Sequence, residues 1–197
     1  TAVKGFEIDI QNQRNAFPLE LLHSEVWSGK QRVVACKPSS PRNILKIYDD
    51  RGLIPIVSPE VEFYLVKPNS DADYPLEVPI GLSGRQETGK QAFSIDAVNE
   101  FDPLFEDLYN YCEVQNIEID TINHESGSGQ MEINFQHGNP LELADQIFLF
   151  KRTLRQSALK HKLYATFMAK PMENQPGSSL HLHQSLYDKK TKRNKYK

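Results

Sequence analysis

Residues 53–67 read LIPIVSPEVEFYLVK, and residues 130–136 read QMEINFQ. Both stretches are rich in β-branched and aromatic residues and alternate in polarity, so both are expected as strands. Side chains two apart on a strand share a face. Glu60 and Glu62 therefore project together, with Val61 and Phe63 on the other side. In the second stretch Gln130, Glu132, Asn134 and Gln136 share a face opposite Met131, Ile133 and Phe135. A third stretch, 179–186 (SLHLHQSL), pairs His181 with His183 opposite Leu180 and Leu182, which are expected in the core. Pro59 inside the first strand points to a sheet edge or a bulge.

The rest of the chain fills in around these strands. Residues 3–10 alternate loosely as a strand, and residues 32–36 (RVVAC) read as a short buried one. Ser40 is expected to cap a helix with Pro41 at its first position, an apolar stripe of Ile44, Leu45, Ile47 and Tyr48, and Gly52 as its stop. Residues 69–90 are rich in Pro, Gly, Ser and Asp, and a loop of that length is functional or disordered. Asp102 and Pro103 are read as cap and first residue of a helix running to about Val114. Residues 117–122 alternate as a strand, and residues 125–129 form a Gly-rich turn. The longest helix begins at Asn139-Pro140 and ends near His161, burying Leu143, Ile147, Phe150, Leu154 and Ala158. Its acids lie near the start and its bases near the end, as the helix dipole favours. Residues 163–168 supply another strand. This order of elements predicts an α+β fold with a largely antiparallel sheet.

The 197 residues are 39% hydrophobic and 25% charged, which excludes collagen-like or wholly disordered chains. A net charge of −3 gives no case for nucleic acid or an anionic membrane as partner. No apolar run is long enough to span a bilayer. Cys36 and Cys112 are too few for a disulfide scaffold and lack zinc-site spacing. They read as buried free thiols in a reducing, cytoplasmic setting. The basic run 189–197 (KKTKRNKYK) is read as a solvated hairpin turn rather than a nucleic-acid tail.

A polar stripe on one amphipathic strand ordinarily faces water. Three such stripes, with Glu125 beside His124 on the Gly-rich turn, open a second reading in which the polar faces converge. The site would then hold Glu60, Glu62, Glu125, Glu132, His181 and His183. Clustered carboxylates require compensating charge, and oxygen-rich ligation with imidazole suits Mg²⁺ or Mn²⁺ better than Zn²⁺ or Cu²⁺. No Walker-type phosphate loop or Ser/His/Asp hydrolase signature is present.

Four blocks, SPEVEFYLV (58–66), NHESGSGQMEINF (123–135), ATFMAKP (165–171) and PGSSLHLHQSL (176–186), together resemble the glutamine synthetase family, in its order and with compatible spacing. Residues 75–108 look most like the γ-glutamylpolyamine (γ-glutamylputrescine) branch. The resemblance implies a catalytic domain in which an antiparallel sheet lines a funnel between subunits of a homo-oligomeric ring. It implies an ATP-dependent ligase that phosphorylates the γ-carboxylate of glutamate and lets an amine displace the phosphate. By motif, Glu62, Glu125 and Glu132 match ligands of one divalent ion, and Glu60 and His181 match ligands of a second. Asp120, His183 and Ser185 match positions around ATP, and Gly177 matches a backbone position near glutamate. Pro176 stands where the ammonia-using enzymes usually carry Asn, which favours the polyamine branch over an ordinary glutamine synthetase. The other alternative is a non-catalytic relative. Residues 1–35 are expected as the end of a small amino-terminal β-grasp domain and 36–197 as the first half of the catalytic domain. The family's later arginine-rich blocks do not follow, so the chain reads as an internal piece, loosely folded or aggregating when isolated and inactive on its own.

Overall fold

The computed structural model describes residues 27–28, 31–32, 41–71 and 73–196. The elements are β1 (Trp27–Ser28), β2 (Gln31–Arg32), α1 (Pro41–Asp50), β3 (Leu53–Val66), α2 (Ile95–Asn99), α3 (Asp102–Val114), β4 (Ile119–His124), β5 (Gln130–Phe135), α4 (Pro140–Lys160), β6 (Tyr164–Thr166), β7 (Leu180–Asp188) and β8 (Arg193–Asn194). The expected strand at 3–10, the Ser40 cap, Cys36 and nearly all of the expected amino-terminal domain lie outside the described residues. Two compact units divide the chain, and both β3 and α4 run through the division.

One unit comprises the described residues up to Pro59 together with 137–148 and 181–197. β1 pairs antiparallel with β2. α1 stops where the sequence predicts, with Gly52 at φ +70 and its N–H donating to the Asp49 carbonyl at 2.8 Å. Ile44, Leu45 and Tyr48 are half-buried, but Ile47 is 50% exposed and lies off the buried stripe. The start of α4 is capped by Asn139, whose Oδ1 accepts from the Leu141 N–H at 2.9 Å, and Leu143 and Ile147 are buried. β7 turns into β8 through Tyr187↔Asn194 and Asp188↔Arg193, so the basic run forms a solvated hairpin as expected. Leu182 is a correction: it is 36% exposed and does not belong to the buried core.

The other unit comprises 60–136 and 149–180. Here β5 lies between β4 and β3, antiparallel to both, and β6 pairs with the end of β3. Phe63, Met131, Ile133 and Phe135 fill the apolar side of the sheet, completely or almost completely buried. Phe150 and Leu154 of α4 are fully buried too, with Phe150 edge-on to Phe135 at 5.1 Å between ring centres. The ammonium of Lys151 and the guanidinium of Arg155 each lie 5.0 Å from the Phe167 ring centre. Leu104, Leu108 and Cys112 of α3 are buried, and burial pushes the Cys112 thiol up to about 11.

One boundary differs from expectation, and the edge-or-bulge reading of Pro59 resolves to the bulge. Asp102 does not cap α3; it is the first helical residue, and Phe101 occupies the cap with no side-chain bond. The cause is α2, a short helix the sequence reading passed over, which ends immediately before and leaves Phe101 buried between the two. Pro59 does not mark a sheet edge either, because β3 runs unbroken through it. The Val57↔Gly138 bridge and the ladder starting at Glu60↔Asn134 are out of step by one residue, and Pro59 sits in that bulge-like offset. A missing N–H is harmless where the ladder is already interrupted.

Candidate active site

The acidic face of β3 is built by cross-strand pairing. The register sets Glu60 opposite Asn134, Glu62 opposite Glu132 and Tyr64 opposite Gln130. Directly opposed residues point the same way, so the two polar stripes read from the sequence lie on one face. That face is not a solvated one: Gln130 is 1% and Glu132 8% exposed. Glu60 and Glu132 each bring a carboxylate oxygen within 4.8 Å of the other's. At an effective dielectric of about 20, such a pair repels by at least about 3 kcal/mol. Positive charge close by would offset that repulsion.

Glu62 is held in place by three donors. Ser179 Oγ donates to Oε1 at 2.5 Å, the Ser179 N–H donates to Oε2 at 3.1 Å, and Gln130 Nε2 donates to Oε2 at 3.0 Å. Gln130 is the hub of this arrangement. Its other amide proton goes to the Gly177 carbonyl at 3.0 Å, and its Oε1 accepts from the Gly127 N–H at 3.0 Å. The Tyr64 hydroxyl lies within reach of Gln130 Oε1 (3.1 Å) and the Pro176 carbonyl (2.8 Å), and donates to one at a time. Burial, then the charges of Glu62 and Glu125, push its pKa up to about 12, so it remains a neutral hydroxyl. Gly127 is required by this crowding, because a Cβ there would stand 2.7 Å from Gln130 Oε1 and closer still to the Tyr64 hydroxyl.

Glu125 begins the turn between β4 and β5, where its N–H donates to the Gln130 carbonyl at 2.8 Å. Glu125 is half-buried and tied through this backbone bond to Gln130, the residue that holds Glu62. Thus Glu60, Glu62, Glu125 and Glu132 come together within one unit, around Gln130, Tyr64 and Ser179. Gly177 joins them through its carbonyl. Asp120 stands apart near the start of β4, exposed, accepting from Gln136 Nε2 at 2.7 Å. His181, His183 and Ser185 lie along β7 in the other unit.

Three participants escaped the sequence reading. Gln130 was visible as part of a stripe but not as the residue that fastens Glu62. Ser179 sits two residues before His181 with no signal of its own. Glu87, inside the long loop, is 8% exposed and bonds His124 at 2.7 Å; an isolated acid in a segment without periodicity carries no pattern. The carboxylate set fits a hard divalent cation, which takes oxygen ligands.

The fold agrees with comparisons to known proteins. Residues 38–196 match the model of the glutamine synthetase catalytic domain. The chain belongs to the glutamine synthetase family and has the α+β fold of its catalytic domain. Gamma-glutamylputrescine synthetase PuuA of Escherichia coli is 40% identical over 153 residues, covering 74% of this chain and 32% of that protein. Glutamine synthetase of Pyrococcus horikoshii is 33% identical over 153 residues, covering 76% and 32%. Among solved structures, Plasmodium falciparum glutamine synthetase superimposes with a TM-score of 0.66 at 20% identity, over 84% of this chain and 37% of that one. The chain thus spans about a third of the length of the curated relatives it matches. Among the described residues no helix is long and apolar enough to cross a membrane.

Proposed function

We propose that the whole protein is an ATP-dependent ligase that joins the γ-carboxylate of glutamate to an amine through γ-glutamyl phosphate. The observation that carries this reading is the set Glu60, Glu62, Glu125 and Glu132 on one partly buried face, in a chain of the glutamine synthetase family. Mg²⁺ or Mn²⁺, when bound, supplies the positive charge that phosphoryl transfer to a carboxylate requires. Glu62, Glu125 and Glu132 are assigned to one ion, Glu60 and His181 to a second. Asp120, His183 and Ser185 are assigned to ATP, and Gly177 to glutamate.

The chain's own contribution is orientation. Ser179 and Gln130 fix the Glu62 carboxylate, so little freedom is lost when a ligand arrives. The neutral Tyr64 hydroxyl holds the 176–177 backbone, which is the segment assigned to glutamate. A polyamine such as putrescine is the favoured amine, supported by the greater identity to gamma-glutamylputrescine synthetase PuuA than to the Pyrococcus enzyme. A ring of like subunits is the proposed assembly.

The test is phosphate release by the full-length protein with glutamate, ATP and Mg²⁺, comparing putrescine with ammonium. Putrescine is expected to support the faster release. Ammonium working as well would make the protein an ordinary glutamine synthetase. Glu62→Gln and Glu132→Gln are expected to weaken Mn²⁺ binding; no binding by the unaltered protein would leave a structural relative of the fold.

A further inference from the structure

The loop that carries Glu87 is fastened to the turn that carries Glu125 by contacts the proposed chemistry does not use. Glu87 Oε2 lies 2.7 Å from His124 Nε2 and also accepts from the Gly129 N–H at 2.7 Å. Its Oε1 accepts from Gln91 Nε2 at 2.6 Å and from the Thr88 N–H at 3.2 Å. On the far side of the imidazole, Nδ1 lies 2.6 Å from the Glu125 carbonyl oxygen. Both ring nitrogens thus lie against oxygen atoms, one on the loop and one on the turn. The result is a buried histidine–glutamate contact spanning two segments, since His124 is fully buried and Glu87 nearly so.

Backbone contacts repeat the connection. The Lys90 N–H donates to the Ser126 carbonyl, and the Phe93 N–H to the His124 carbonyl, both at 2.8 Å. Lys90 and Phe93 hold left-handed backbone, φ 66 and 64, which non-glycine residues keep only where the surroundings dictate it. At Gly89 a Cβ would stand 3.3 Å from both the Ser126 carbonyl and Ser128 Oγ, so the two segments touch closely. A surface loop needs no buried polar pair merely to stay attached, and leaving one member buried without its partner is costly.

We infer that Glu87 is a positioning residue for Glu125. Acting through His124 at one end of the turn and Gly129 at the other, it sets the direction in which the Glu125 carboxylate is presented. It touches neither substrate nor metal. This rests on the ligase reading, in which Glu125 holds a divalent ion. Partners that orient a metal ligand typically matter about 10- to 100-fold in affinity.

The test is Mn²⁺ titration of the full-length protein, followed by the electron paramagnetic resonance of the free ion, beside a thermal melt. Glu87→Gln keeps one oxygen for His124 and Gly129 but removes the charge and sets an amide NH₂ against the Gln91 and Thr88 donors, so the side chain cannot keep its former geometry. It is expected to weaken Mn²⁺ binding about tenfold, and to add no further loss in a Glu125→Gln background. Should Glu87→Gln fail to fold, Gln91→Leu removes one of the two bonds to Oε1, together with the Gln91 bonds to Thr88, leaves the Oε2 contacts in place and is expected to cause a smaller loss of affinity. Unchanged affinity in the variant that folds, with only the melt lowered, overturns the inference and leaves the ligase reading standing. A full additional loss in the Glu125→Gln background also overturns it, because Glu87 would then act elsewhere. Unaltered protein that binds no Mn²⁺ overturns the ligase reading itself and the inference with it.

Discussion

Replacing Gln130 by methionine keeps the side chain's length and removes all its hydrogen bonding. Two donors are lost, to Glu62 Oε2 and to the Gly177 carbonyl, and one acceptor for the Gly127 N–H. Gly177 is exposed, so water can serve its carbonyl. Gly127 is buried, and its orphaned N–H costs about 1–3 kcal/mol. The bond to the Glu62 carboxylate is charge-assisted and contributes about 1.5 kcal/mol or more. Together these come to about 3 kcal/mol. In a chain of this size each kcal/mol moves the melting temperature by about 2–4 °C, and by less in a longer protein, so a fall of up to about 6–12 °C is expected. Differential scanning calorimetry of the full-length protein measures it. Ser179 still holds Glu62 through two bonds, so Mn²⁺ affinity should fall less than in Glu62→Gln. A melting temperature within about 2 °C of the unaltered protein would refute the role of Gln130 as the hub.

Gly129 has φ +73, and a Cβ there would stand 2.7 Å from the Leu65 carbonyl oxygen, so Gly129→Ala should cost about 2 kcal/mol or more, read as a lowered urea midpoint. Burial, then Arg155, lowers Lys151 from 10.5 to about 8. Its charged form is therefore disfavoured in the folded state, and the penalty is fully present below about pH 8. Stability should rise as pH increases from about 8 towards 10.5, and Lys151→Met should abolish that rise in pH-dependent melts.

The acidic face was legible because strands write their faces at every second residue. Glu60 and Glu62 on β3, and Gln130 and Glu132 on β5, needed only the correct register to meet, and the apolar residues between them fix that register. What the alternation does not carry is burial: the same stripe describes a solvated face and a buried polar site. Leu182 shows the converse, an apolar alternation on β7 that is not packed. Elements governed by tertiary contact were lost. The cap of α3 moved because α2 abuts it, and Ser94, whose Oγ accepts from the Ala97 N–H at 3.3 Å, was the local signal for α2 that went unread. Glu87 reaches His124 across 37 residues, and no periodicity records such a pairing.

The fastening of Glu62 also has a consequence for biosynthesis. Glu62 pairs with Gln130 across 68 residues and with Ser179 across 117. At about 5–20 residues joined per second, a ribosome adds Ser179 about 6 to 23 s after Glu62. The acidic strands therefore leave the exit tunnel with their charges before the serine that restrains one of them exists. From the addition of Glu132 until that of Ser179 the nascent chain carries a loosely held anionic cluster, and its restraint is the last of these connections to be made.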